Sequence, residues 1–205
     1  MKNITLTSSK LYKIFFCSLA ILLSSCNAEE EKEDSNSSTE VSDVLHFDFK
    51  TPNWEQYINC EDLDLFPQAK ENDSTFSVSS SSASTRQTFY FSYPKDSSKI
   101  VKTKLLSKHK IMEFGSNEEP FQFSMKLPLD KNSITDLTKR LVSLEGFSAT
   151  EYNQVIDVKY FKSEPKYAIF KVKCKYEMNT YLLESPETIK KVTGTFAFKI
   201  RTTKE

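Results

Sequence analysis

Glycine is scarce, at three in 205 residues. Loops that cradle phosphate through successive backbone N–H groups need several glycines close together, so a nucleotide-binding loop of that kind is excluded. Histidine is rarer still, at two, and no CxxC, HExxH or GxSxG pattern occurs. His109 stands between Lys108 and Lys110, whose charges lower its basicity and repel a metal cation. His46, between Leu45 and Phe47, is expected on the solvent face. The adjacent acids Glu61/Asp62 and Glu118/Glu119 imitate a glycosidase pair only if folding sets two carboxylates about 5–10 Å apart across a cleft. These residue types point to no catalytic residue, no metal ligand and no cofactor. No charge of one sign dominates either, with 28 basic and 28 acidic residues. A long apolar run is also missing. Ile14 to Leu23 (IFFCSLAILL) is half the roughly 20 residues that a membrane span requires.

What is present begins at that short run. Lys2, Lys10 and Lys13 precede it with no acid among them, and small residues follow, which is the pattern of a secretory signal peptide. Leu23-Ser24-Ser25-Cys26 then resembles the lipobox of bacterial lipoproteins. The resemblance implies signal-peptidase recognition through Leu23, Ser24 and Ser25, removal of residues 1–25, and acylation of Cys26. Each buried acyl CH₂ contributes about 0.8 kcal/mol, and stable anchoring takes more than one chain. Residues 27–43 carry seven acids against Lys32 alone, interspersed with Ser35, Ser37, Ser38 and Thr39, too polar and too uniformly charged to order themselves. They read as an acidic tether, 26–43, between lipid and domain. Acids directly after the lipid cysteine also resemble the surface-export signal of Bacteroidetes lipoproteins. The expected location is therefore the cell envelope, at the outer membrane, with the cell surface as its outer limit.

Removing the signal takes away three bases and no acid, leaving 25 bases against 28 acids. Without the tether, residues 44–205 hold 24 against 21. Neither balance is that of a nucleic-acid binder. This length suits one domain with a real core. Period-two alternation places Ala168, Phe170, Val172, Cys174, Tyr176 and Met178 on one side of a strand and lysines on the other. Val192, Phe196, Phe198 and Ile200 repeat it, with Gly194 on the inward row marking a bulge or a close backbone approach. Glu184-Ser185-Pro186-Glu187 is the expected turn between them. Shorter alternations appear at Leu45–Phe49, Phe89–Tyr93, Phe121–Leu127 and Ile100–Leu106. Ser133 as N-cap, Ile134, Leu137, Leu141 and Leu144 at helical spacing, and Gly146 as stop predict a helix over 133–145. Thr51-Pro52-Asn53-Trp54 suggests a short second one. About nine strands with one packed helix make a mainly β fold, an antiparallel sandwich or flattened barrel.

Cys60 and Cys174 remain after the signal is lost, and an exported chain with an even pair allows a disulfide. Against this, Cys174 lies on an inward row, where a free thiol packs as a small hydrophobe. Trp54, Tyr57, Tyr90 and Tyr93 can stack on sugar rings if they share a surface. Lysines 99, 102, 104, 108 and 110 can meet anionic glycans or lipid, or simply solvate a strand face. The early F-x-F strand, Phe89-Tyr90-Phe91 and the closing Val192-Thr193-Gly194-Thr195-Phe196-Ala197-Phe198 resemble small β-rich lipoproteins of Bacteroidetes, a resemblance that implies no site residue beyond Cys26. The function expected is a lipid-anchored, surface-exposed module that binds a glycan or protein without catalysis. The alternative is a periplasm-facing assembly or immunity-type lipoprotein with a protein partner, and last a glycan hydrolase.

Overall fold

The alternation in the last third of the chain becomes the centre of the fold. The computed structural model describes residues 41–69, 74–116 and 119–204. Cys26, its recognition residues Leu23 to Ser25, nearly all of the acidic tether and Glu118 lie outside them. In chain order the elements are β1 (His46–Lys50), β2 (Glu55–Asn59), β3 (Gln68–Ala69), β4 (Thr75–Ser81), β5 (Thr88–Pro94), a short helix α1 (Ser97–Val101), β6 (Lys108–His109), β7 (Phe123–Pro128), β8 (Arg140–Ser143), β9 (Tyr152–Ser163), β10 (Tyr167–Leu182) and β11 (Ser185–Thr203). They form one sheet in the order β2-β1-β11-β10-β8-β7-β5-β4-β3, with β9 also on β10 and β6 on β9. Every named strand pair is antiparallel. The protein is mainly β, and two of the eleven strands are only two residues long.

The sheet curls into a half-barrel around its aromatic residues. Phe89 of β5 and Phe198 of β11 stack at 4.7 Å although β7, β8 and β10 lie between their strands along the sheet. Phe196 meets Phe123 at 4.9 Å and Phe91 at 5.1 Å, and Phe47 reaches Phe89 at 5.3 Å. Each fully buried Phe contributes roughly 1.5–3 kcal/mol, which makes this concave face the main source of stability. Curling also brings the two ends of the sheet together. The Gln87 side chain donates to Gln56 Oε1 at 2.6 Å, joining the β4–β5 turn to β2 across the open side.

The inward rows of β10 and β11 are buried as the alternation predicts, from Ala168 to Met178 and from Val192 to Ile200. Gly194 forms no bulge but a close approach. It pairs with Tyr176, whose hydroxyl passes over it to donate to the Asp48 carbonyl of β1 at 2.6 Å. The β10–β11 connection is tighter than expected. Leu183 and Glu184 alone make the turn, and Pro186 enters β11 where the register shifts, a place that spares its missing N–H.

The helix over 133–145 does not form. Lys131–Ser133 make one 3-10 turn capped by Asp130, and residues 140–143 become β8, hydrogen-bonded to β7 and β10. The Arg140 guanidinium donates to the Ser133 and Ile134 carbonyls at 2.8 and 2.7 Å, taking acceptors that a helix would have used. Leu141 and Val142 are both buried because β8 is covered on both faces, so its apolar residues lack a period of two. Thr51 to Trp54 likewise form the β1–β2 turn, closed by Thr51 N donating to Trp54 O at 2.9 Å. Among the described residues an α-helix starts at Asp96, which accepts from Ser98 N at 2.7 Å, and it replaces the strand expected at Ile100–Leu106.

On the convex side of β10 and β11 two buried cations carry their own anions. Lys173 pairs with Asp43, and Arg201 with Asp64 at 2.6 Å and Glu164 at 3.2 Å. His46 is buried rather than solvated, its ring nitrogens on Val44 O and Thr195 Oγ1, both at 2.7 Å. Tyr57 stacks over it at 5.4 Å.

Candidate functional site

A groove of about 290 Å³ opens where the two ends of the sheet meet. One wall comes from β1–β2 and the residues just after, with Phe47, Ile58 and Cys60. The other is the β4–β5 turn, with Ser81, Gln87 and Phe89. The turn is held by its own backbone, Ser82 N donating to Gln87 O at 2.9 Å and Arg86 N to Ser82 O at 2.8 Å. This closure pins Gln87 at the groove, where the residue is only 4% exposed. Its amide nitrogen is spent on Gln56, while Oε1 is buried and has no partner. A buried acceptor left unpaired costs about 1–3 kcal/mol.

Among the described residues no acidic or basic side chain lines this groove; it offers apolar surface, serine hydroxyls and the amides of Gln87 and Asn59. The Cys60 thiol donates to Ile58 O at 3.6 Å, and burial pushes its pKa up to about 11. It is therefore a thiol and not a thiolate at neutral pH, a poor nucleophile. Cys174 is buried on β10 beside β9, where Asn153 Nδ2 lies 3.8 Å from its sulfur. Both cysteines are free, so the bridge between them is not formed. Each thiol has its own surroundings, one beside the groove and one mid-strand in the core.

The four aromatic residues singled out in the sequence do not share a surface. Tyr93 is wholly buried, and burial raises its pKa well above that of a free phenol. Trp54 is half-buried, its edge against Phe49 at 5.0 Å and its N–H donating to Pro128 O at 3.4 Å. Tyr90 packs on Phe114 at 5.2 Å. Tyr57 alone is open to solvent, 54% exposed, and it is held flat by His46. The basicity of His109 is lowered by burial beside Phe121 rather than by its lysine neighbours. Lys108 lies 3.6 Å above the Tyr152 ring and Lys110 pairs with Glu145, so these two lysines serve the local surface. Glu61 and Asp62 sit exposed in a turn.

Gln87 escaped the sequence analysis. Its one signal is that Arg86 and Gln87 are the sole long side chains in the run Ser79 to Thr88, otherwise serine, threonine and alanine. Comparison with family models, with curated proteins and with solved structures finds no match.

Proposed function

We propose that this chain is a lipid-anchored cell-envelope protein whose β domain is a non-catalytic binding module, taking a neutral hydroxyl-bearing ligand, a glycan segment, in the groove between β2 and the β4–β5 turn. The observation that carries this reading is the buried, unpartnered Oε1 of Gln87 in a wall without charge. A sugar hydroxyl donates to such an oxygen and brings no charge to be desolvated. The lipobox residues Leu23 to Cys26 support the anchor, and the acids that follow support display outside the cell.

Two experiments test the two halves. Gln87→Leu is expected to leave stability within about 1 kcal/mol, because the orphaned acceptor leaves with the Gln56 bond. On a panel of neutral glycans, the variant should lose tenfold or more of whatever affinity the parent shows. Equal binding by parent and variant moves the site elsewhere. For the address, protease is applied to intact cells carrying the native protein or Cys26→Ser, with a cytoplasmic protein as lysis control. Digestion of the native protein while the control survives supports surface display. Digestion only after the envelope is broken favours the periplasmic alternative and a protein partner.

A further inference from the structure

The β4–β5 turn has a second cavity on its other side, of about 410 Å³, and its wall is basic. Thr88 of β5 pairs with Lys126 of β7, and Lys126 pairs with Val142 of β8. Arg140 lies two residues before Val142, so Thr88, Lys126 and Arg140 share the convex face of three neighbouring strands. Arg86 reaches the same cavity from the turn, held at φ +56°, a left-handed conformation that a non-glycine residue adopts only at a cost. Thus adjacent residues serve opposite sides of one turn: Gln87 the groove and Arg86 the basic cavity.

Among the described residues these cations have no acid in ion-pair contact. Arg140 is 1% exposed, and its partners are the carbonyls of Ser133, Ile134 and Lys139, three acceptors for five N–H donors. Among the described residues, none of Arg86, Lys126 and Arg140 makes an ion pair, whereas buried Lys173 and Arg201 do. Asp136, whose charge reaches Arg140, is occupied by Thr138 at 2.7 Å and Lys139 at 3.7 Å. Arg86 is close enough for its charge, after burial, to lower the basicity of Arg140. A fold gains nothing by collecting like charges in a recess. An anion that enters removes the repulsion.

We propose that this cavity binds a tetrahedral oxyanion, a phosphate or sulfate ester, whose carrier rests against Phe114 and Leu137. A carboxylate has two oxygens and is satisfied by a single guanidinium fork. Three cations approaching from a turn and two strands, with the Ser81, Ser82 and Thr88 hydroxyls among them, match an anion with oxygens in three directions. Phe114 lies 5.9 Å from the Lys126 ammonium, and Leu137 is 64% exposed at the rim, which gives the carrier an apolar seat beside the charge. The two cavities share Ser81 and Ser82 of the turn, but the cations line only this one, so either reading can fail without the other.

The test titrates the full chain with phenyl phosphate, phenyl sulfate and benzoate at constant ionic strength, following amide resonances. Saturable shifts for an ester at residues 81–88, 114 and 126, with benzoate at least tenfold weaker, are the expected result. The tighter ester names the source, and a phosphate loses its second charge below about pH 6, weakening as it does so. Arg86→Gln and Lys126→Gln should each weaken binding tenfold or more. Both lie in exposed or half-buried positions, so their folding is checked by unchanged dispersion elsewhere in the spectrum, and Arg140 is left intact. No saturable response, a response that survives both substitutions, shifts confined to another surface, or benzoate binding as tightly as the esters overturns the proposal.

Discussion

Phe196→Ala is expected to destabilise the protein by about 3–5 kcal/mol, the usual cost of emptying a closed aromatic site. Phe196 is fully buried on β11 and touches partners from both sides of the curl. Phe123 and Phe198 lie at 4.9 Å, Phe91 at 5.1 Å and Tyr176 at 6.2 Å. The hole cannot collapse easily, because its walls come from four strands, β5, β7, β10 and β11, tied into one hydrogen-bonded sheet. Phe161 on β9 is the control: it is 50% exposed, with Lys199 over its ring at 4.7 Å. Its alanine variant should fall within about 0.5 kcal/mol of the parent, as surface changes do. Urea midpoints at equal m-value measure both. A loss under about 1.5 kcal/mol for Phe196→Ala means that the curl is not closed by aromatic packing.

How far the sequence announces this core depends on whether burial is on one face or two. Along β10 and β11 a polar face meets solvent, so alternation survives and the inward rows can be read residue by residue. In β8 both faces are covered, and Leu141 beside Val142 blurs the pattern until it imitates a helix. Arg140 deepens the illusion, since a charged residue reads as surface while its guanidinium is turned inward onto backbone carbonyls. Tyr93 illustrates the opposite case. It shares the inward row of Phe89 and Phe91, and that row, not its hydroxyl, decides that it belongs to the core. The groove was illegible for another reason. Gln87 is buried because the far end of the sheet returns to it through Gln56, a contact made by curvature over several strands. Local periodicity holds no record of such a return, although the scarcity of long side chains around Arg86 and Gln87 does mark the place.

Gly194→Ala is the second large effect, expected at about 2–4 kcal/mol. A Cβ added there would lie 2.5 Å from the Tyr176 hydroxyl oxygen and closer still to the Asp48 carbonyl oxygen. One of these neighbours is backbone on β1, so a side-chain rotation cannot relieve the clash; β1 must move away from β11. Overpacking of this kind costs about 1–3 kcal/mol. The hydrogen bond from Tyr176 to Asp48 O spans the added methyl and adds about 0.5–1.5 kcal/mol when it breaks. Its loss also loosens Asp48 from Thr195, whose N–H and hydroxyl donate to that carboxylate at 2.6 and 2.5 Å. Tyr176→Phe separates the two contributions. It removes the hydroxyl but not the carbonyl, so on that background Gly194→Ala should cost about 1 kcal/mol less, a coupling that a double-mutant cycle measures directly. Additive losses would mean that the clash with β1 acts alone. A cost under about 1 kcal/mol in the native background would mean that β1 yields freely, and glycine would then hold this position for no steric reason.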